Sequence, residues 1–171
     1  LDPLNTKLAR WLKDQVRETI SGLRKKGGAE ARARSVAAPP GIEHHPLANQ
    51  PPGADEVALV VTDFGESSYR HQTFASVEGL LEFFQNDQYE NRWVDVAGLH
   101  PYVINRLRQY LDFHTLAAED VFNKPQRPKI ENYEGSLFII SRAIIPLEHG
   151  VAIEQVSFVY FPAKRLLLTF R

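Results

Sequence analysis

The C-terminal third of the chain most constrains the fold, because its apolar runs are too closely spaced for anything but paired strands. Residues 152–161 and 165–171 are rich in aliphatic and aromatic residues, and only the turn Pro162-Ala163-Lys164 separates them. A turn this short makes the two runs pair antiparallel. An apolar run from residue 129 to 145, bent at Gly135, precedes them and is interpreted as one strand. The pattern predicts three C-terminal strands.

Strands and helices alternate in the segment before these runs. The stretches "EVALVVTD", "SYRHQTFA" and "NRWVDVAG" have the composition of short strands. Ser76 is a suitable N-cap for the helical stretch "VEGLLEFFQN", and Pro101 suits the first position of a second helix. Thr115 is expected to cap a third, short helix that ends near Asn123. We predict an α/β (α+β) domain over residues 56–171, with a mixed sheet flanked by helices on both faces.

The apolar positions of these elements predict the core. The second helix is expected to bury a stripe formed by Val103, Ile104, Leu107, Tyr110 and Leu111. The strands are expected to supply residues that form the core or lie beside it, namely Trp93, Val94, Val96, Phe138, Ile140, Val156, Phe158, Leu166 and Leu168.

The first 55 residues differ in composition from this domain. Residues 1–26 are interpreted as a basic amphipathic helix, because their apolar residues recur at three- and four-residue steps. Residues 27–55 are rich in Pro and Gly, lack periodicity and are interpreted as a flexible linker. Residues 1–34 carry nine Lys/Arg and four Asp/Glu, so a basic arm precedes an acidic body. A chain that begins at Leu1 and ends on an apolar run is expected to be a fragment of a longer protein.

Several function classes are excluded by what the chain lacks. Cysteine is absent, so thiolate zinc sites and cysteine nucleophiles are impossible. The phosphate-loop, dinucleotide, nucleophile-elbow and zinc-protease motifs are also absent, and the tripeptide Asp63-Phe64-Gly65 is interpreted as a turn between strands. The acidic body disfavours nucleic-acid binding. No apolar run approaches the ~20 residues that span a bilayer. We do not expect an enzyme.

The adjacent acids Glu119 and Asp120 are the candidate site, and two interpretations compete for them. Acid pairs on a helix are commonly a solvated face. The alternative is a cation site, because hard ions such as Mg²⁺ take oxygen ligands and use one or two carboxylates. Neighbouring helical residues diverge by about 100°, so both side chains do not easily bind one ion from the same chain. A site completed by acids from a neighbouring subunit fits these rules.

The stretch "TLAAEDVFNKPQRPKIENYEGSLFII", residues 115–140, contains this pair and resembles the cytoplasmic domain of the CorA-type magnesium transporters. The resemblance covers residues 57–171, including "WVDVAGLH" and the closing hairpin "EQVSFVYFPAKRLLLTFR". Its most specific part is an acid pair followed at fixed spacing by QRPK. The matching residues are Leu116, Glu119, Asp120, Asn123, Gln126, Arg127, Pro128, Lys129, Glu131, Tyr133, Phe138 and Ile139.

This resemblance implies a magnesium transporter or channel that lies, at full length, in the cell inner membrane, with the present domain on the cytoplasmic side. It implies a homopentamer in which divalent cations bind between neighbouring cytoplasmic domains and hold the channel closed. Glu119 and Asp120 then become candidate ligands of a weak, regulatory Mg²⁺ ion, or of another divalent cation. The partner acids, the stalk helix and the membrane helices of the family belong to positions beyond residue 171.

The basic loop after the pair is interpreted as a scaffold, and two alternatives for the whole domain stay open. Arg127 and Lys129 are expected to pair with Glu131, Glu134 or helix carbonyls, while prolines stiffen the loop. The first alternative is a domain of a relative that transports zinc or another divalent metal. The second is a free-standing soluble metal-binding module. Zinc favours His and Cys ligands, so magnesium is preferred.

Overall fold

The structure, a computed structural model, describes residues 41–86, 88–147 and 150–171. These residues belong to one compact unit that ends at Arg171. The predicted helix over residues 1–26 and the first part of the predicted linker lie outside the described residues.

Three α-helices and seven strands follow one another in the described part of the chain. The helices are α1 (Val77–Asn86), α2 (Pro101–Leu111) and α3 (Thr115–Phe122). The strands are β1 (Ala58–Phe64), β2 (Tyr69–Phe74), β3 (Asn91–Ala97), β4 (Lys129–Tyr133), β5 (Ser136–Leu147), β6 (Gly150–Phe161) and β7 (Leu166–Phe170). None of the helices described here has the length and apolarity needed to cross a membrane.

All seven strands form one sheet in the order β2-β1-β3-β7-β6-β5-β4. Only β3 and β7 pair in parallel, and every other neighbouring pair is antiparallel. β6 and β7 pair across the short turn, with Phe161 opposite Leu166, as the sequence predicted. The predicted mixed sheet with helices is confirmed; the described helices α1, α2 and α3 pack on one face of it, and helices on the second face stay a prediction.

The core lies between one face of the sheet and the helices. Val94 of β3 stands beside Val61 of β1 and Leu168 of β7, and all three are almost fully buried. Buried side chains of α1, α2 and α3, such as Leu80 and Leu107, join the same cluster. In the described residues, the helices therefore contribute their buried side chains to one face of the sheet.

Most of the predicted core residues are buried, and the rest are explained by strand alternation. The residues Val94, Val96, Phe138, Ile140, Leu166 and Leu168 belong to the core cluster. Trp93, Val156 and Phe158 are half-buried on the opposite face of the sheet, because successive side chains alternate across a strand. Tyr110 is exposed, so the prediction that α2 buries it was wrong.

The run from residue 129 to 145 is two strands and not one bent strand. Tyr133 is opposite Ser136, so the chain reverses completely at Glu134-Gly135. Gly135 has a φ of +78°, which glycine adopts at little cost. Tight hairpin turns of this kind need positive φ, and an acidic or amide residue followed by glycine is typical of them. The reversal makes β4 an edge strand beside β5.

The second part of the predicted linker folds onto the body. Ile42 lies in a short 3₁₀ turn, Ile42–His44, and is buried in the core cluster, while Ala48 is also buried. The ring of His45 packs edge-on against Phe122 with centroids 4.9 Å apart. Residues 41–55 are rich in proline but carry these few apolar anchors, so the folded unit begins before residue 56.

Asp63 forms a buried ion pair that the interpretation of Asp63-Phe64-Gly65 as a turn did not anticipate. Asp63 is the penultimate residue of β1 and accepts two hydrogen bonds from Arg92 of β3, at 2.6 and 2.7 Å. Arg70 of β2 donates a third, at 2.6 Å. The Arg92 guanidinium lies 3.9 Å from the ring centroid of Tyr89. Only Gly65 takes part in the turn, where its N–H donates to Ser68.

We expect protonation of His100 to destabilise the domain in mild acid. The Nδ1 atom of His100 caps α2 by accepting the backbone N–H of Tyr102 at 3.3 Å. Burial lowers the pKa of His100; Glu56 opposes this shift and His45 adds to it. The stabilisation that neutral His100 provides is therefore complete above the pKa of about 6.5 that histidine has in the unfolded chain. It is lost as pH falls through the lower pKa that His100 has in the folded domain.

Denaturant midpoints at pH 7.5 and pH 5 measure this effect, and the loss of a cap amounts to about 1 kcal/mol. His100→Asn is the matched variant, since asparagine also caps helices but does not titrate. The stability of His100→Asn should change less between pH 7.5 and pH 5 than the stability of the wild type does. An equal pH dependence in both proteins would assign the acid sensitivity to other groups.

Candidate functional site

Helix α3 holds Glu119 and Asp120 on its outward side. The N-cap is His114, whose Nδ1 accepts the Leu116 N–H at 3.2 Å, so the predicted cap Thr115 is one residue too late. The helix ends at Asn123, as predicted. Its buried residues are Ala117, Ala118 and Val121. These small apolar side chains anchor the helix on the core and leave the acid pair half-buried at its surface.

Asp120 is joined to the edge strand β4 through Lys129. The Lys129 Nζ atom donates to Asp120 Oδ2 at 2.6 Å and to Glu131 Oε1 at 2.8 Å. Lys129 and Glu131 are two residues apart on β4, so their side chains share one face of the strand. One ammonium therefore links two carboxylates that belong to different elements.

Aromatic residues hold this cluster from two sides. The Tyr133 hydroxyl donates to the second oxygen of Glu131, Oε2, at 2.7 Å. The ring of His114 stacks on Tyr133 with centroids 4.3 Å apart and planes 10° from parallel. Beneath the cluster, the Lys129 ammonium lies 5.7 Å from the ring centroid of the buried Phe138. The cluster therefore connects the cap of α3, the edge strand and the core.

The electrostatics of the cluster favour the charged forms of its lysine and glutamate. Burial opposes the charge on Lys129, but the hydrogen bonds to Asp120 and Glu131 outweigh it and raise the pKa of the lysine. The hydrogen bonds from Lys129 and Tyr133 lower the pKa of Glu131. Burial and the neighbouring Glu131 carboxylate raise the pKa of Tyr133 to about 12. Lys129 is a fixed positive charge at neutral pH.

Glu119 behaves differently from its neighbour, as the divergence of adjacent helical residues predicts. Within the described part of the chain, its carboxylate makes no hydrogen bond or ion pair. Its backbone carbonyl accepts the N–H of Asn123 at 2.7 Å. Of the two candidate ligands, Glu119 is available to a partner and Asp120 is already bound to Lys129.

The loop between α3 and β4 is fixed by Gln126. Its N–H donates to Gln155 Oε1 at 2.7 Å, and its side-chain amide donates to the Asn123 carbonyl at 2.8 Å. Arg142 donates to the Gln126 carbonyl at 2.8 Å. The scaffold interpretation of the loop is supported, because these bonds position Lys129. Arg127, by contrast, is exposed and makes no side-chain ion pair among the described residues.

The carboxylates have suitable chemistry for a divalent cation, but as folded they do not fit one. Asp120 and Glu131 offer oxygen ligands of the type that Mg²⁺ takes. The Lys129 ammonium occupies the position between them, at hydrogen-bond distance from both. In the ranges that the structure describes, no group of three or more His, Asp or Glu side chains is placed to hold a metal ion. A site at Asp120 therefore needs a further ligand or the release of Lys129.

Three members of this cluster, Lys129, Glu131 and Tyr133, were not identified as site residues from the sequence. Lys129–Glu131 was an anticipated pair, but the contact of Lys129 with Asp120 and that of Tyr133 with Glu131 were not. The alternation of Lys129, Glu131 and Tyr133 in "KIENY" does place these three side chains on one strand face. That signal could have found the β4 part of the cluster, but it carries no information about α3.

The fold and the site define an α/β domain in which a basic loop and an edge strand hold an acidic helix against a mixed sheet. Residues 89–171 match the family model described as "CorA-like Mg2+ transporter protein". Over this range, just under half of the chain, the sequence is similar to the CorA-like family, and the resemblance predicted from its motifs is confirmed. The matched range includes the acid pair, the QRPK loop and all of β4 to β7.

Two curated relatives are similar to the chain and considerably longer. The cobalt/magnesium transport protein CorA of Thermotoga maritima is 28% identical over 108 residues, which are 61% of this chain and 30% of the relative. The putative metal ion transporter YfjQ of Bacillus subtilis is 33% identical over 78 residues, which are 46% of this chain and 23% of the relative. The chain thus spans about a third or less of these proteins.

Two solved structures are also similar. The ZntB cytoplasmic domain from Vibrio parahaemolyticus has a TM-score of 0.46 at 16% identity, with 64% of this chain and 41% of that chain covered. The CorA magnesium transporter from Methanocaldococcus jannaschii has a TM-score of 0.45 at 17% identity, with 65% and 31% covered.

Proposed function

We propose that this chain is the cytoplasmic, divalent-cation-sensing domain of a CorA-like Mg²⁺ transporter. In this proposal the full-length protein is a homopentamer of the inner membrane, and the domain regulates transport without conducting the ion. Glu119 and Asp120 bind a regulatory Mg²⁺ ion at the boundary between neighbouring subunits.

The observation that carries the proposal is the acid pair itself, in the context that the family pattern provides. Glu119 and Asp120 are half-buried on α3, and Glu119 has no side-chain partner among the described residues. The residues described here do not complete a metal site. An acidic helix that needs further ligands suits a site shared between subunits.

The regulatory mechanism follows from the charges. Carboxylates that face each other across a subunit boundary repel when no ion is present, and a Mg²⁺ ion between them converts this repulsion into attraction. The ion shifts the equilibrium toward closed packing only to the extent that it binds the closed state more tightly. A site of millimolar affinity, which suits a sensor of cellular Mg²⁺, corresponds to about 4 kcal/mol.

The chemistry of the ligands favours magnesium over zinc. Zinc prefers His and Cys ligands, whereas the chain has no cysteine and the candidate ligands are carboxylates. Cobalt is the second candidate, because the similar protein from Thermotoga maritima is a cobalt/magnesium transport protein. Measuring transport and inhibition with Mg²⁺, Co²⁺ and Zn²⁺ distinguishes these ions.

Replacing Asp120 by Asn in the full-length protein is expected to weaken Mg²⁺-dependent closure. The substitution keeps the shape of the side chain but removes the charge that binds the ion. Mg²⁺ influx should continue at Mg²⁺ concentrations that inhibit the wild type, and Mg²⁺ should protect the variant less from protease. The ion selectivity should stay the same, because the domain does not line the pore in this proposal.

Asp112→Asn is the control for this experiment. Asp112 is an exposed acid at the C-cap of α2 with a left-handed backbone, a conformation that asparagine also tolerates. The Asp112→Asn variant loses the same charge as Asp120→Asn, and Mg²⁺ should inhibit its transport as it inhibits the wild type. Unchanged inhibition and protection in Asp120→Asn would return the acid pair to the interpretation of a solvated helix face.

A further inference from the structure

Lys129 stands in the place that a cation would take between Asp120 and Glu131. Its ammonium is within 2.6 Å of one carboxylate oxygen and 2.8 Å of the other. The side chains of Lys129 and Asp120 are both less than a third exposed, so water screens this contact only partly. The two carboxylates therefore share one positive charge that is covalently tethered to the domain and neutralises them only in part.

The position of the ammonium is fixed by contacts on three sides. Gln126 holds the loop that leads to Lys129 through its bonds to Gln155 and Asn123. Tyr133 holds the far oxygen of Glu131. The ring of Phe138 lies beneath the ammonium, at a distance that allows a cation–π contact.

A divalent ion and this ammonium compete for the same oxygens. The ammonium uses Asp120 Oδ2 and Glu131 Oε1, so an ion that Mg²⁺-like ligation would place on the same carboxylates must share their lone pairs with a positive charge. A positive charge held a few ångströms away also repels the incoming ion, more strongly at a protein surface than in bulk water. The ion must therefore displace Lys129, or bind Asp120 against its repulsion.

We propose that Lys129 is a tethered counter-cation that sets the ion threshold at Asp120: it binds Asp120 and Glu131 in place of a divalent cation, so that one domain by itself binds such ions weakly. Its role as a regulator of sensing rests on the proposed function. Its effect on ion binding is a property of this chain alone and is tested separately. Lys129 acts as a positioning residue through Asp120 and is not itself an ion ligand.

The experiment measures Mn²⁺ binding by electron paramagnetic resonance and Mg²⁺ binding by calorimetry, with the whole 171-residue chain. Lys129→Met should bind either ion at least about tenfold more tightly than the wild type, since a close positive charge is removed. Lys129→Arg keeps the charge and should retain weak binding. Arg127→Met removes a charge from an exposed position of the same loop and should change the affinity little.

A second substitution tests whether the gained site is the one described. In the Lys129→Met background, Glu131→Gln should abolish the gain in affinity. Circular dichroism establishes that each variant is folded. If Lys129→Met binds no more tightly than the wild type, or if Arg127→Met gains as much, the proposal is wrong.

The wild type provides a test that does not depend on the folding of a variant. Hydrogens of an ammonium in two ion pairs exchange slowly with water, so the Lys129 ammonium should be visible by nitrogen NMR. Saturating Mg²⁺ should remove or shift this signal. If Mg²⁺ binds and the Lys129 signal is neither lost nor shifted, the proposal is overturned.

The outcomes separate this inference from the proposed function. If Lys129→Met gains affinity while Asp120→Asn leaves Mg²⁺ inhibition of transport unchanged, the tethered counter-cation stands and the sensing function fails. If Asp120→Asn relieves inhibition while Lys129→Met shows no gain, sensing stands and the role of Lys129 is refuted.

Discussion

Replacing Asp63 with Ala is expected to lower the free energy of unfolding by about 3–5 kcal/mol, because it removes one partner of a buried, hydrogen-bonded ion pair with Arg92. Arg92 is among the most deeply buried side chains of the described residues, at 1% exposure. Asp63 accepts two of its hydrogen bonds and one from Arg70. The aromatic rings around the guanidinium, including Tyr89 and Phe83, keep water away and provide no counter-charge.

The cost comes from removing one partner of a buried pair and not from a large net value of the ion pair. Replacing a buried pair by apolar residues of similar volume is often neutral or stabilising. The double variant Asp63→Leu/Arg92→Met should therefore be more stable than Asp63→Ala, although it lacks both charges. This order of stabilities distinguishes an electrostatic cause of the destabilisation from simple loss of packing.

Equilibrium unfolding in urea measures both effects, with the midpoint and the slope reported for each variant. Glu66→Ala is the control, because Glu66 is exposed in the turn after β1, and surface changes of this kind usually stay within about 0.5 kcal/mol. A loss below about 1 kcal/mol in Asp63→Ala would mean that the pair is more hydrated than its burial indicates.

Replacing Phe138 with Ala is expected to cost a similar amount, about 3–5 kcal/mol, for a different reason. Phe138 is fully buried on β5 and belongs to the core cluster. Truncating it removes a large apolar surface and leaves a cavity that close-packed neighbours fill only in part. For a domain of this size the loss corresponds to a fall of roughly 10–20 °C in Tm.

Thermal unfolding followed by circular dichroism tests this prediction, and Phe138→Leu is the matched variant. Leucine keeps most of the apolar volume, so its cost should be clearly smaller. Leu116→Ala is a surface control, because Leu116 is 54% exposed on α3. If Phe138→Ala melts within a few degrees of the wild type, the core around β5 would have to be looser than described.

The amino-acid sequence was sufficient for the elements whose signals are local. The alternation of "NRWVDVAG", the N-cap Ser76 and the first-turn Pro101 each predicted an element that the structure contains. The acid pair and the QRPK loop at fixed spacing also predicted the resemblance to the CorA-type family, which the match over residues 89–171 confirms. These signals depend on neighbours within a few residues, where propensity and capping act.

The errors of the sequence interpretation arose where a local signal has two meanings. Gly135 fits both a bend within a strand and a reversal between two strands, and only the pairing of Tyr133 with Ser136 decides. Prolines near Ile42 indicate a linker, yet one buried isoleucine fixes this segment on the core. His114 and Thr115 are adjacent, and the backbone geometry selects the histidine as the cap.

The sequence by itself determined the periodicity of the strands and helices, the resemblance to the CorA-type family and the position of Glu119 and Asp120 on a helix. Only the tertiary structure decided which charges meet: Lys129 reaches Asp120 across nine residues, and Arg92 reaches Asp63 across 29. The physical reason is that such contacts depend on sheet order and register, which the packing of the whole core selects. The fold therefore decides whether a carboxylate is free or paired with a cation, and the sequence motif that contains the carboxylate does not.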